Sequence, residues 1–410
     1  MSVRHRTAHL LAAEGGIPVR SVPFPGWPCF SEDELSAIND VLRSGQVNYW
    51  TGEQGRAFER EYAAAITVSH GVAVANGTVA LELALRALGV GSGDEVVVPS
   101  RTFIASASCA AAVGARPVFA DVDRDSGNIT AATARAAITD RTRAVIAVHL
   151  GGWPVDMDPL VRLAYDEGLA VVEDCAQAHG ALYRGRPVGS FGDVAAWSFC
   201  QDKILTTAGE GGLVTTGNRE IWKKVWSYKD HGKDPDVLAA PHTEAGFHWT
   251  HTSFGTNARM HELAAAAGRV ALKNLPSWVE RRRENASTLT ERLTEIPQLR
   301  VPIPPDDPST VASYYRVYVY VQPELLRPGW NRDRILSAVR AEGIPCSVGS
   351  CGEVYREQAF SEGLRPSGRL PVAAELADTS LAFLVHPTLT RDDMRDAADA
   401  VEKVLATAGA

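Results

Sequence analysis

The chain has 410 residues, 45% of them hydrophobic and 22% charged, and a formal net charge of −8. This is the composition of a globular enzyme with two domains, or one large domain and an appendage. The acidic balance argues against a nucleic acid or an anionic membrane held by bulk charge. No apolar run is long enough to cross a bilayer. Residues 1–13 carry Arg4 and Arg6 but no continuous apolar segment, so no signal peptide is expected. Six scattered cysteines without CxxC spacing predict free thiols in a reducing cytoplasm, with neither a zinc site nor a disulfide framework.

In chain order, short apolar runs at 72–76, 95–100, 117–122, 144–150, 170–175, 195–200 and 211–216 read as strands. Helical patterns lie between them, at 78–88 with Leu81, Leu85 and Leu88 on one face, and at 159–165. Runs that are apolar throughout, rather than alternating, suit strands covered on both faces. An α/β fold with a mostly parallel seven-stranded sheet is expected, with helices on both faces. Only residues 201–210 join the last two strands, too few for a parallel crossover, so one antiparallel strand is expected there. The Lys-, Asp-, His-, Gly- and Pro-rich stretch 222–250 reads as a long exposed loop. A helix from 260 to about 275 follows, then a charged helical stretch at 279–293. This leads into a smaller C-terminal α/β domain with a strand at 314–321 and helices at 331–342 and 391–405. The expected limits are an N-terminal tail at 1–16, a large domain at 17–270 and a small domain at 271–410.

Ligands of open α/β sheets bind beyond the carboxyl ends of the strands. The polar residues there are Asn76-Gly77-Thr78, Ser100 to Phe103, His149, Glu173-Asp174 and Ser198. Gly77 lets the backbone approach an anion, and Thr78 suits a helix cap whose N–H groups favour a phosphate; a plain capped turn fits as well. Asp174, at the mouth of a buried strand, calls for a cationic partner such as a protonated pyridine nitrogen, although capping or an internal salt bridge is the commoner use of an aspartate. Gln177 and His179 crowd the same turn, His179 reading as a packed residue. The sharpest signal is the run from Ser198 to Gly212. Lys203 stands in the short loop leaving a buried strand, where desolvation lowers a lysine pKa and suits it to Schiff-base chemistry. Ser198 is placed to bind a phosphate beside it.

These segments, with Val148-His149-Leu150, Asp156-Met157-Asp158 and Gly255 to Met260, occur in the order seen in one family. From about residue 17 to 405 the chain resembles the DegT/DnrJ/StrS sugar aminotransferases, fold-type-I enzymes that use pyridoxal 5'-phosphate (PLP) and pass through pyridoxamine phosphate. The resemblance implies that Lys203 carries PLP and that Asp174 pairs with its pyridine nitrogen. It further implies that Gln177 lies near the phenolic oxygen, that Phe103 stacks on the ring, and that Gly77, Thr78 and Ser198 hold the phosphate. Asn257 resembles an asparagine given to the phosphate by a neighbouring subunit, which implies a homodimer with shared sites.

The implied reaction moves an amino group from glutamate or glutamine to a keto group of a sugar, nucleotide-linked in most of the family. A cyclitol aminotransferase is the alternative within the class. A PLP-dependent dehydratase or aromatising lyase is the alternative outside it. Lys203 speaks against the branch that removes sugar hydroxyls and carries His there. Arg101 is read with equal weight as a binder of substrate carboxylate or phosphate and as a partner of Asp or Glu. His231 and Arg259 are further substrate-side candidates. Residues 346–355 stand where many members have a His-Tyr-Pro stretch, and Trp27, Tyr49 and Trp50 read first as packing residues.

Overall fold

A computed structural model describes residues 10–240, 248–305 and 307–410. The seven expected strands are present: β1 (His70–Val74), β2 (Glu95–Pro99), β3 (Arg116–Ala120), β4 (Thr142–Val148) and β5 (Ala170–Asp174) come first. A small hairpin, β6 (Leu182–Tyr183) and β7 (Arg186–Pro187), precedes β8 (Val194–Ser198) and β9 (Gly212–Thr216). The sheet runs in the order β1-β9-β8-β5-β4-β2-β3. Only β9 is antiparallel, to both β1 and β8, as expected for a short connection that holds no helix. The unbroken apolar runs have a structural cause. Val96 and Val98 of β2 and Ile146 of β4 enter one core, while Val97 and Val145 enter another on the opposite face.

A second sheet, wholly antiparallel, lies towards the C-terminus: β10 (Leu299–Arg300), β11 (Val317–Val321), β12 (Cys346–Ser347) and β13 (Ser380–Phe383), in the order β10-β11-β13-β12. Helices Arg332–Ala341 and Arg391–Ala408 cover it, burying Ile335, Val339, Val401 and Leu405 against Val319 and Leu381.

Three elements differ from expectation. Residues expected as two helices form one, Glu262–Leu293, with Pro276 inside it. Leu275 and Val279, on either side of the proline, are both held in one core, so packing overrides the missing N–H. Farther along, Ala286, Leu289 and Leu293 enter the C-terminal core, so a single helix serves both. The stretch expected as a loop at 222–250 begins inside a helix, Arg219–Lys229, capped by Asn218 and burying Ile221, Val225 and Trp226. A short helix, Pro235–Ala239, follows, and the remainder at 241–247 lies outside the described residues. Glu220, Lys223 and Lys224 belong to the solvent side of an amphipathic helix and hid its apolar stripe, while Lys229 is buried. Among the described residues, no helix is long and apolar enough to cross a membrane.

The third difference is at the N-terminus, expected as a tail through residue 16. Leu11 is 2% exposed and packs in the C-terminal core. Beside it, Ala12 N donates to Glu342 Oε1 at 2.8 Å, and Val19 N and Lys403 Nζ donate to Glu342 Oε2. Leu11→Ala is expected to cost about 2–4 kcal/mol in chemical denaturation. Leu10→Ala, at a position 43% exposed, is expected to cost under about 0.5 kcal/mol.

Candidate active site

A cavity of about 830 Å³ opens where β5 and β8 end and the helix Gly77–Ala87 begins. Gly77, Thr78, Phe103 and Asp174 line it, as do Gln177, Ser198 and Lys203. The sheet brings them there from four chain segments.

The first wall is a helix start. Asn76, not Thr78, is the cap: its Oδ1 accepts from Val79 N at 3.0 Å. Thr78 is therefore left exposed on the cavity side. Gly77 passes so close to Ser198 that a Cβ there would stand 2.6 Å from Ser198 Cβ. Only glycine allows this approach of a helix N-terminus to the Ser198 hydroxyl.

Asp174 faces the cavity and is buried. Ser106 Oγ donates to its Oδ2 at 2.7 Å, and Ala176 N to its Oδ1 at 3.1 Å. Burial pushes its carboxyl above the ordinary aspartate range, and these donors with the charges of Lys203 and His149 only partly offset the rise.

Lys203 departs from expectation. Burial alone does pull its ammonium down, but Tyr315, Asp202, Cys200 and Asp174 surround it and together hold it above the ordinary lysine value. Its Nζ lies 3.5 Å from Asp202 Oδ1, and Asp202 also accepts from the Tyr315 hydroxyl. Opposite charge wins over desolvation here. The carbonyl of Lys203 accepts from the Trp27 indole N–H at 2.9 Å. Gln177 Oε1 accepts from Gly151 N at 2.7 Å, and its Nε2 donates to Ser350 Oγ at 3.2 Å. Phe103 is 62% exposed on the cavity rim.

Other expected residues lie elsewhere. His149 and Glu173 point to the opposite face of the sheet, Nε2 to Oε2 at 3.1 Å, and the amides of Gly189, Phe191 and Gly192 also donate to Glu173. With those lone pairs taken, the cluster of His149, Glu173 and Cys175 is not a metal site. Arg101 does not face the cavity. It is fully buried behind it, its guanidinium stacked on Tyr318 and Tyr320 at 5.1 and 5.8 Å. No Asp or Glu of the described residues pairs with it.

Asn257, Arg259 and His231 are grouped outside the cavity. Asn257 bridges through its backbone to Asp230, whose carboxylate receives Arg259 Nη1 at 2.8 Å and the Trp50 indole N–H at 2.9 Å. His231 stands beside them with a φ of 62°. His179 is packed, between Tyr62 and the Ser198 carbonyl. Ser350, from the segment 346–355, also lines the cavity, as do Tyr315, Arg316 and Tyr318, which the sequence did not single out. Their signal was present but weak: β11 alternates, so Tyr318 faces away from Val317 and Val319.

With this geometry established, comparison with known proteins is informative. The model of the DegT/DnrJ/EryC1/StrS aminotransferase family matches residues 28–402. The chain belongs to this family. It is 37% identical to the UDP-N-acetyl-3-dehydro-alpha-D-glucosamine 3-aminotransferase of Acidithiobacillus ferrooxidans, covering 91% of this chain and 94% of that one. It is 35% identical to an L-glutamine:2-deoxy-scyllo-inosose aminotransferase of Streptomyces kanamyceticus, covering 96% of each. The solved aminotransferase of Psychrobacter cryohalolentis superposes with a TM-score of 0.92 at 49% identity, covering 94% of this chain and 100% of that one. The protein is an aminotransferase of a family whose members act on sugars and cyclitols.

The cavity suits a phosphate-bearing aromatic cation such as PLP on its own chemistry. It offers a helix N-terminus narrowed by Gly77, a buried carboxylate with few donors, and a lysine in the same cavity. Because burial raises the folded-state pKa of Asp174 above its unfolded value, the ionised group costs stability near neutrality. The cost is absent below an unfolded pKa of about 4 and appears as pH rises through the folded pKa. Asp174→Asn is thus expected to leave the cofactor-free melting temperature at neutral pH unchanged or higher, an advantage lost towards pH 4. The same variant is expected to bind PLP at least about tenfold more weakly, measured by absorbance titration.

Proposed function

We propose that the protein is a PLP-dependent aminotransferase that takes an amino group from glutamate or glutamine and gives it to the keto group of a sugar, in most instances nucleotide-linked. The observation that carries this reading is the meeting of Lys203, Asp174 and the Gly77–Ser198 cradle in one cavity. Thr78, Ser198 and the amides of the helix start would hold the phosphate. Asp174 would hold the pyridine nitrogen and keep it protonated. When bound, PLP supplies an electron sink that weakens the C–H bond beside the transferred nitrogen.

The chain's own groups do the rest. Lys203 Nζ accepts the proton from the substrate carbon and returns it on the other side of the transfer, acting as base and then acid. Nζ takes up that proton as the neutral amine, and Asp202, held by Tyr315 beside it, would fix its position and favour the protonated form that then returns the proton. Gln177, held by Gly151 and Ser350, would orient the ring oxygen. Phe103 on the rim would cover one ring face.

A cyclitol acceptor is the second reading, favoured by the likeness to the inosose aminotransferase. A lyase of this family acting on a carboxylated substrate would have suited an Arg101 facing the cavity, but Arg101 is buried behind it. Asn257, Arg259 and His231 lie away from the chain's own Lys203, which fits a homodimer in which they serve the neighbour's cavity.

Glutamate or glutamine added alone to the PLP-loaded protein is expected to convert the cofactor's absorbance from its lysine-bound form to its amine form. Lys203→Ala should lose about 10³-fold or more of this rate. A cofactor band unmoved by either donor would refute the transfer. Mixed dimers of Lys203→Ala and Asn257→Ala chains should recover activity that neither variant has alone; no recovery would place Asn257 outside the neighbour's site.

A further inference from the structure

A second cavity, of about 860 Å³, adjoins the first. The two share Asp202, Tyr315, Arg316 and Ser347, so the wall between them is the one that touches Lys203. The N-terminal segment from Arg20 to Trp27 forms one side, and the C-terminal sheet forms the other.

The charge here is unbalanced. Four arginines line the basin, against one carboxylate, Asp202, which is already engaged by Tyr315 and Lys203. Two of the four are accounted for: Arg20 pairs with Asp393 and Asp396 at 2.8 and 2.7 Å, and Arg340 Nε donates to the Cys346 carbonyl. The other two are not. Arg282 is 1% exposed and donates once, from Nη1 to the Tyr314 carbonyl at 3.3 Å, leaving Nε and Nη2 without a partner. Arg316 makes no ion pair with a described acidic residue, its guanidinium resting 4.9 Å from the Tyr315 ring centre. A buried guanidinium with idle donors is costly unless something supplies acceptors.

The titration of neighbouring groups agrees with this imbalance. Burial, then repulsion from Arg316, brings Arg282 down to about 9. Burial, then the charges of Arg282 and Arg316, brings His386 down to about 4, with only Asp393 acting the other way. The histidine is thus neutral at pH 7 and adds no charge.

We propose that this basin binds an oxyanion of the substrate, a phosphate or a carboxylate, between Arg282 and Arg316, with the substrate reaching past Tyr315 and Ser347 towards Lys203. Planar guanidinium donors match the paired oxygens of both groups. The inference rests on the adjoining cavity being the site of amino transfer. The oxyanion has two sources there, the phosphates of a nucleotide-linked acceptor and the carboxylate of the donor.

The test is calorimetric titration of the PLP-loaded protein, whose own phosphate site is filled, with UDP, dTDP, inorganic phosphate and glutarate. At least one is expected to saturate, and Arg316→Gln should weaken it about tenfold or more with the cofactor absorbance unchanged. Arg282→Gln should do the same. If that variant does not fold, the partly exposed Arg316 decides alone. Binding of UDP or dTDP without glutarate assigns the basin to the acceptor's phosphates, and the reverse assigns it to the donor's carboxylate. No saturable binding, or equal binding by Arg316→Gln, overturns the basin even where the cofactor loads normally. A chain that takes up no cofactor overturns the transfer reading instead, and wild type against Arg316→Gln with UDP, dTDP and glutarate still decides the basin.

Discussion

The ion cluster around Lys203 is the constraint on which the rest of the molecule depends. A lysine at the end of a buried strand loses solvation, and in this chain the loss is offset by groups from three separate regions. Asp202 is its chain neighbour, Asp174 ends β5, and Tyr315 precedes β11. Remove the sheet order and Asp174 no longer faces it; remove the C-terminal sheet and Tyr315 is gone. The fold can be read as the means of holding one cation and one buried carboxylate in the same cavity without letting them neutralise each other by direct contact.

That arrangement also explains where the chain accepts local cost. Asp174 has two hydrogen-bond donors for a buried charge, which is thin support beside the His149 and three amides that hold Glu173 on the other face of the same strand. Adjacent residues of one strand thus carry opposite designs. Glu173 is saturated and structural, whereas Asp174 is under-satisfied and open to a ligand. Sites that bind tightly are commonly left incomplete in this way.

Much of this was legible in the sequence because the signals were local. Seven strands, the antiparallel β9, and the cluster from Gly77 to Lys203 follow from apolar runs and from what stands at their ends. The strand-end rule had a limit, since it names which residues reach the crevice but not the face on which each side chain falls. His149, Glu173 and Arg101 were lost to that alternation. The Lys203 pKa was misjudged because desolvation is readable from position, while Tyr315 and Asp174, which help to offset it, arrive from distant parts of the chain. The helix Arg219–Lys229 was hidden by its own polar face. The continuity of Glu262–Leu293 was hidden by a proline whose local penalty is outweighed by burial on both sides.

The hydrogen bond from Trp27 to the Lys203 carbonyl has a consequence for biosynthesis. Trp27 stands on a segment whose flanks, Val19 and Phe24, pack against the C-terminal core, and Tyr315 reaches Asp202 from that same end of the chain. During synthesis the lysine loop emerges before Tyr315 and before the C-terminal core, when neither fastening has a base to rest on. Its final position therefore waits for the last helix, Arg391–Ala408, to close the C-terminal core. The Lys203 amine becomes fixed only once that core has closed, so the lysine loop is set by the packing of residues far from it in the chain.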